Sequence, residues 1–345
     1  MKKFAAISLF ALILWTVSSC KQEPRLILVT NTGYAQGSTF QIKYRVLEGK
    51  DYSEEIQGIF EAIDASMSTY QPHSLISMIN KGDTLVEVDS LFQKVLQRAL
   101  AVSKESGGQF DPTVGPLVEL WGFGLSKRDQ VDSARVDSVK AFIGYDKLEI
   151  TGLTQQASSK IKVPKGFKMD FNAIAQGYTV DVIVDFLERK GIENYMVEVG
   201  GEVRARGVNT DNEVWKIGID KPSEEIDEEN RFQVIIALKD AALATSGNYR
   251  KFWVDEATGL KYAHTINPFT GFPAKNRLLS VSIIAPHAMD ADAYATLCMV
   301  KGLQQSIDFL NSKPELEGYL IYTNEDGEWE VYETPGFRRY SVSTR

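Results

Sequence analysis

Asp292 and Thr296 stand four residues apart in an apolar stretch, so on a helix their oxygens lie on one face, one turn apart. A carboxylate and a hydroxyl, joined by a nearby carbonyl, make a sparse oxygen site of the kind magnesium uses when water and substrate phosphates complete its shell. An acid in a first helical turn also serves simply as a partner of the helix dipole. Oxygen is the donor this chain can offer: its two cysteines and three histidines suffice neither for a disulfide framework nor for a zinc site of Cys and His. Among the histidines, His264 precedes Asn267-Pro268-Phe269-Thr270-Gly271, a run with turn chemistry throughout. A loop imidazole titrates near working pH and suits general-base work, although a lone loop histidine is more often structural. His73 and His287 read as surface-turn residues.

Four further segments are denser in Gly, Asp, Thr, Asn and Pro than a core requires: Gln36–Thr39, Ser68–Pro72, Gly107–Pro116 and Asp170–Tyr178. Loops drawn from separated parts of a chain are how a rigid scaffold builds a ligand site. Asp170 to Gly177 runs into a helix, so free N–H groups and the positive end of its dipole suit a phosphate or an anionic ring edge. The alternative is that Asp170 or Asn172 caps the helix. Tyr70 and Phe110 are loop aromatics that either stack on a planar ring or anchor their loops to the core. No segment matches a P-loop or a Gly-x-Gly-x-x-Gly fingerprint. Thr245-Ser246-Gly247-Asn248-Tyr249 lacks nucleophile-elbow spacing and is not read as part of a hydrolase triad.

Several elements must position these residues. Helical spacing occurs at Ile56, Ile59, Phe60, Ile63 and Met67, and again at Leu91, Val95, Ala99 and Val102 before Gly107. A third helix fits Ala175–Lys190, stopped by Gly191, and a fourth runs from Asp290, read as its N-cap, to Lys301 before Gly302. Strand-like segments fall at Leu26–Val29, Thr39–Val46, Tyr195–Val199, Val203–Val208, Trp215–Asp220, Phe232–Leu238, Leu279–Ile284, Gly318–Tyr322 and Trp329–Tyr332. Many follow one another without an intervening helix, so the sheet is expected to be largely antiparallel and the class α+β, a single domain with flanking helices. The run Ser223–Asn230, with four glutamates and one aspartate, reads as a solvated loop between strands.

The 345 residues, 43% of them hydrophobic and 24% charged, match an ordinary globular chain. With 38 Lys and Arg against 46 Asp and Glu, the charge is −8 and the basic residues are dispersed, so nucleic acid is not an expected partner. Lys2 and Lys3 lead an apolar run, Phe4–Val17, that ends in Val17-Ser18-Ser19-Cys20. This is the layout of a secretory signal, and the small residues before Cys20 resemble a bacterial lipobox. The expectation is therefore a lipoprotein signal peptide at 1–19, a lipidated Cys20, a polar tether at 20–25 and one domain at 26–345. Processing would leave 326 residues and, with Lys2 and Lys3 gone, a charge of −10. Cys298 would then stand alone, and acyl chains rather than charge would hold the protein to a membrane.

Taken together, the ordered blocks Met67-Ser68-Thr69-Tyr70-x-Pro, Phe110–Leu117 with Trp121-Gly122-Phe123-Gly124, Asp170–Tyr178, Val199-Gly200-Gly201-Glu202, Ala244–Gly247, His264–Gly271 and Asp290–Thr296 resemble the ApbE family of periplasmic flavin transferases. The resemblance implies a T-fold-related domain and the transfer of the FMN moiety of FAD to a Thr or Ser hydroxyl of an acceptor protein, releasing AMP and leaving a phosphoester. It implies an FAD site that includes Tyr70, Gln109, Phe110, Asp111, Asp170 and Gln176, and Mg²⁺ held by Asp292, Thr296 and the carbonyl of Ala173. His264 is then the expected base. It further implies a membrane-anchored lipoprotein on the periplasmic side, with the inner membrane favoured. An FAD pyrophosphatase giving FMN and AMP, or a non-catalytic FAD-binding lipoprotein, would use the same site. The chain departs from the family pattern at Gln36 (often Met), at Asn172-Ala173 and Gln176 (commonly Gly-Gly and Lys) and at Asn267 (usually Asp), where a carboxylate that could support His264 or the metal is lost.

Overall fold

The computed structural model describes residues 26–82, 85–124, 131–151, 159–223, 231–248, 252–254 and 261–342. The signal peptide, Cys20, the tether, Tyr249 and all but Ser223 of the acidic run lie outside the described residues.

Eight strands form one sheet: β1 (Leu26–Ala35), β2 (Ser38–Leu47), β3 (Tyr195–Val199), β4 (Glu202–Arg206), β5 (Ala241–Gly247), β6 (Leu278–Ala285), β7 (Glu317–Thr323) and β8 (Trp329–Glu333). Their spatial order is their chain order, and every neighbouring pair is antiparallel. That is the antiparallel α+β sheet the strand succession predicts. A two-residue turn at Gln36-Gly37 joins β1 to β2, with φ of 52° and 75°, the doubly left-handed conformation that suits strand twist.

Helices enter as insertions in this meander. Between β2 and β3 come α1 (Ser53–Met67), α2 (Ser90–Glu105) and α3 (Ala175–Arg189), and between β6 and β7 comes α4 (Ala288–Lys301). On α2, Phe92, Val95, Leu96, Ala99 and Val102 are buried at helical spacing, and Asp89 Oδ1 caps the start by accepting from Phe92 N at 2.7 Å. α4 buries side chains all round its circumference, as a helix at the centre of a domain must. It begins at Ala288, two residues before the expected start. Asp290 lies inside its first turn and pairs with Arg98 Nε at 2.5 Å instead of serving as N-cap.

Alternation along the strands divides the core. In β3, Tyr195, Val197 and Val199 face α1 and α3, whereas Met196 faces the opposite layer. In β6, Val281, Ile283 and Ala285 join the α2–α4 core, and Ile284 packs with Trp215, Ile236 and Phe337 beyond the sheet. The two-stranded ribbon Trp215–Asp220 and Phe232–Leu238 covers that second face. Among the described residues no helix is long and apolar enough to cross a membrane, and Cys298 is a buried free thiol.

Candidate functional site

The first turn of α3 lies against α4 because residue 177 has no side chain. A Cβ at Gly177 would lie well inside van der Waals contact distance of the Ala288 carbonyl oxygen and 2.8 Å from Asp292 Cβ. The close approach lets Gly177 N–H donate to Asp292 Oδ2 at 3.1 Å. The helical bond from Gly177 back to Ala173 is therefore missing. The ladder begins one residue later, with Tyr178 N donating to Ile174 O at 3.1 Å, so the Ala173 carbonyl has no donor from its own helix. Neither Asp170 nor Asn172 is the N-cap: that position is Ile174, without a side-chain cap.

Asp292 is 5% exposed, and its single hydrogen bond among the described residues is the one from Gly177. Burial pushes its carboxyl up to about 7, with that N–H pulling the other way. One turn on, Thr296 Oγ1 meets Ser246 Oγ of β5 at 3.1 Å. A buried carboxylate with no ion pair among the described residues, a hydroxyl one turn on and a carbonyl lacking its helical donor are donor types that fit a hard divalent cation. Among the described residues no cluster of three or more His, Cys, Asp or Glu offers a metal site, so a cation here must rely on mixed oxygen donors.

Asp170 begins the turn into α3. Its Oδ1 accepts from Asn172 N at 2.7 Å and its Oδ2 from Asn172 Nδ2 at 3.2 Å, while its own N–H donates to Pro112 O at 2.8 Å. Burial raises its carboxyl above the ordinary aspartate range, the Asn172 bonds oppose that shift, and Glu119 adds to it. Asp170 also lines a groove with Thr69, Gly115, Glu119, Gly124 and Lys168, where Lys168 Nζ meets Glu119 Oε2 at 2.5 Å. The groove holds about 200 Å³, less than the ~300–1,000 Å³ of complete small-molecule pockets, so it would take part of a large ligand. It brings three of the sequence blocks to one place.

The other expected flavin-site residues divide by environment. Tyr70 is 59% exposed beside Thr69 of the groove, free to stack on a ring. Phe110 is buried in the α2–α4 core, so the loop-anchor alternative describes its ring. Asp111 is also buried: Thr113 N and Oγ1 donate to its Oδ1 at 2.8 and 2.6 Å, and Tyr145 N to its Oδ2 at 3.0 Å. It thus ties the Asp111–Val114 turn to the Gly144–Tyr145 segment. Gln109 binds Lys301 Nζ through Oε1 at 2.6 Å, near the C-terminal end of α4. Gln176 lies against Gly200 in the β3–β4 turn, where Gly200 and Gly201 adopt φ of 68° and 109°.

His264 is half-buried and meets Phe123 edge-on, with centroids 6.3 Å apart. Its loop is tied to the Trp121 block by Trp121 Nε1 donating to Gly271 O at 2.8 Å. Asn267 Oδ1 accepts from Phe269 N at 2.9 Å and Thr270 N at 3.2 Å. The Asn267 amide oxygen is spent on its own turn, a task an aspartate would perform with the same geometry. The second oxygen and the charge of an aspartate are what Asn267 lacks for supporting His264 or a metal.

Two contributors escaped the sequence reading. Gly177 carried a signal, since a glycine inside a helix disfavours that helix and marks a close approach. Ser246, which lacks nucleophile-elbow spacing, is the partner of Thr296, a contact between β5 and α4 that no local pattern reports.

A model of the ApbE family matches residues 36–320. An FAD:protein FMN transferase of Haemophilus influenzae is 33% identical over 337 residues, covering 95% of each chain. Another, from Vibrio cholerae, is 35% identical over 90% of this chain and 91% of its own length. Among solved structures, the flavin transferase ApbE from Vibrio cholerae gives a TM-score of 0.79 at 34% identity, covering 91% of this chain and 99% of that one. The apo flavinyl transferase ApbE of Pseudomonas stutzeri gives 0.79 at 26% identity, covering 91% and 97%.

Proposed function

The chain belongs to the ApbE family, and from that premise we propose that it is an FAD:protein FMN transferase, acting with Mg²⁺ on a Thr or Ser hydroxyl of an acceptor protein. The observation that carries the metal-dependent reading is the diversion of Gly177 N–H to the buried Asp292, which leaves the Ala173 carbonyl without its helical donor. Asp292, Thr296 and that carbonyl would hold the cation. When bound, it neutralises charge on the pyrophosphate.

In the transfer, the acceptor hydroxyl oxygen forms a bond to the phosphorus of the FMN half. The bond from that phosphorus to the bridging oxygen breaks, and AMP leaves with the bridging oxygen. His264 takes the hydroxyl proton, a task that suits an imidazole on a loop tied down by Trp121. Tyr70, exposed, would stack on a planar ring of FAD, and Asp170 and the start of α3 would orient its polar edges.

Secretion with lipidation at Cys20, and hence a periplasmic, membrane-held enzyme, forms part of the same proposal and rests on the Val17–Cys20 pattern. AMP release from FAD and Mg²⁺, measured with and without an acceptor domain, tests the reaction. Release that requires the acceptor supports transfer. AMP with free FMN in its absence means hydrolysis, and no release leaves only binding.

A further inference from the structure

Asp181 is a buried carboxylate with no place in the chemistry above. It lies one turn after Gly177 on the same face of α3, and its side chain is 9% exposed. Its oxygens accept the first two N–H groups of α4, Ala288 N on Oδ1 at 3.1 Å and Met289 N on Oδ2 at 2.9 Å. α4 has no cap of its own, because His287 occupies the N-cap position without a side-chain cap bond. The helix is thus capped in trans, by a carboxylate from a neighbouring helix, in a place where charge and dipole agree. Arg204 Nη1, from β4, donates to the same Oδ1 at 2.8 Å, and His287 Nδ1 lies 3.9 Å away on the exposed side.

α3 and α4 are therefore fastened at two levels one turn apart, by Gly177 to Asp292 and by Asp181 to the start of α4. Between them, the missing side chain of Gly177 brings the Ala288 carbonyl into contact. Asp292 follows the two capped N–H groups by one helical turn. Sliding α4 along α3 would break both fastenings and carry Asp292 and Thr296 away from the Ala173 carbonyl.

We propose that Asp181, with Arg204 as its counter-charge, is a positioning residue for the divalent-cation site, setting the register between the helix that follows Ala173 and the helix that presents Asp292 and Thr296. The inference rests on the metal reading above. Mn²⁺ titration of the full chain, followed by the electron paramagnetic resonance of the free ion without FAD or acceptor, reads the site independently of turnover. Asp181→Asn keeps one acceptor but loses the second and the charge. Its Mn²⁺ dissociation constant should rise about 10–100-fold, as for other groups that orient metal ligands. At saturating Mg²⁺ its transfer rate should return to within about threefold of wild type, because the ligands themselves are intact.

A residue that merely stabilised the fold would lower the melting temperature without moving that constant. Glu317→Gln calibrates this case: Glu317 is a buried carboxylate bound to Thr334 and Arg339 on a different part of the sheet. If Asp181→Asn fails to fold, Arg204→Gln is read in its place, with a rise of about threefold or more expected. Unchanged Mn²⁺ affinity in the folded variant overturns the inference and leaves the metal reading standing. A wild-type chain that binds no Mn²⁺ overturns the metal reading and the inference with it.

Discussion

His264 and Asp292 carry the sharpest consequences at the scale of single residues. With His264→Ala, FAD affinity should be retained while the single-turnover transfer rate falls by about 10²–10⁴-fold, the usual contribution of a positioned base. A loss confined to FAD affinity would remove it as the base. Asp292 in the metal-free protein has its carboxyl raised to about 7 by burial, so the folded state keeps a proton that the unfolded chain gives up near pH 4. Its contribution to stability is complete below that lower value and is lost as pH rises through about 7. Without divalent cations, the melting temperature of wild type relative to Asp292→Asn should therefore fall between pH 5 and 8. Added Mg²⁺ should restore more at pH 8 than at pH 5.5, because ion and proton compete for the same oxygens. A difference that is flat with pH, and Mg²⁺ stabilisation equal at both values, would contradict this assignment.

Packing between elements decides what happens at Gly177. Intrinsic propensity favours Ala over Gly in a helix by about 1 kcal/mol, but here the added methyl group would press on the Ala288 carbonyl and Asp292. Gly177→Ala should destabilise the protein by about 1–3 kcal/mol in urea unfolding, and a gain in stability would show that α3 and α4 are not in contact there. The helices are legible in the sequence where one face alone is buried: the spacing of Leu91, Val95, Ala99 and Val102 before Gly107 marks α2, although Phe92 and Leu96 rather than the half-buried Leu91 complete its core face. β5 was not legible as a strand. Ala241-Ala242-Leu243-Ala244-Thr245-Ser246-Gly247 has few β-branched or aromatic residues because α4 packs closely on it, so small size replaces the ordinary strand signal. The start of α4 was misplaced for a related reason. Its cap comes from Asp181, more than a hundred positions away, and no local pattern at His287 or Asp290 reports it. In the candidate site, Asp292 with Thr296 and the turn around Asn267 could be read from spacing, whereas the burial of Phe110 and the turn-holding role of Asp111 depend on contacts that only the folded chain displays.

At the scale of the whole molecule, one antiparallel meander carries loops from distant parts of the chain to the ends of α3 and α4, while the acidic charge of −8 gives no electrostatic attraction to anionic lipid. Membrane attachment would therefore depend on Cys20. In a bacterial host, Cys20→Ala should shift the protein from the membrane to the soluble fraction, and persistent membrane association would contradict lipid tethering. Flavin transfer is tested most directly by the intact mass of an acceptor protein with a single target Thr, incubated with this chain, FAD and Mg²⁺. The predicted result is a gain of one FMN moiety matched by one AMP, abolished by replacing that Thr with Ala or by removing Mg²⁺. An acceptor of unchanged mass, while AMP and free FMN accumulate, would contradict it.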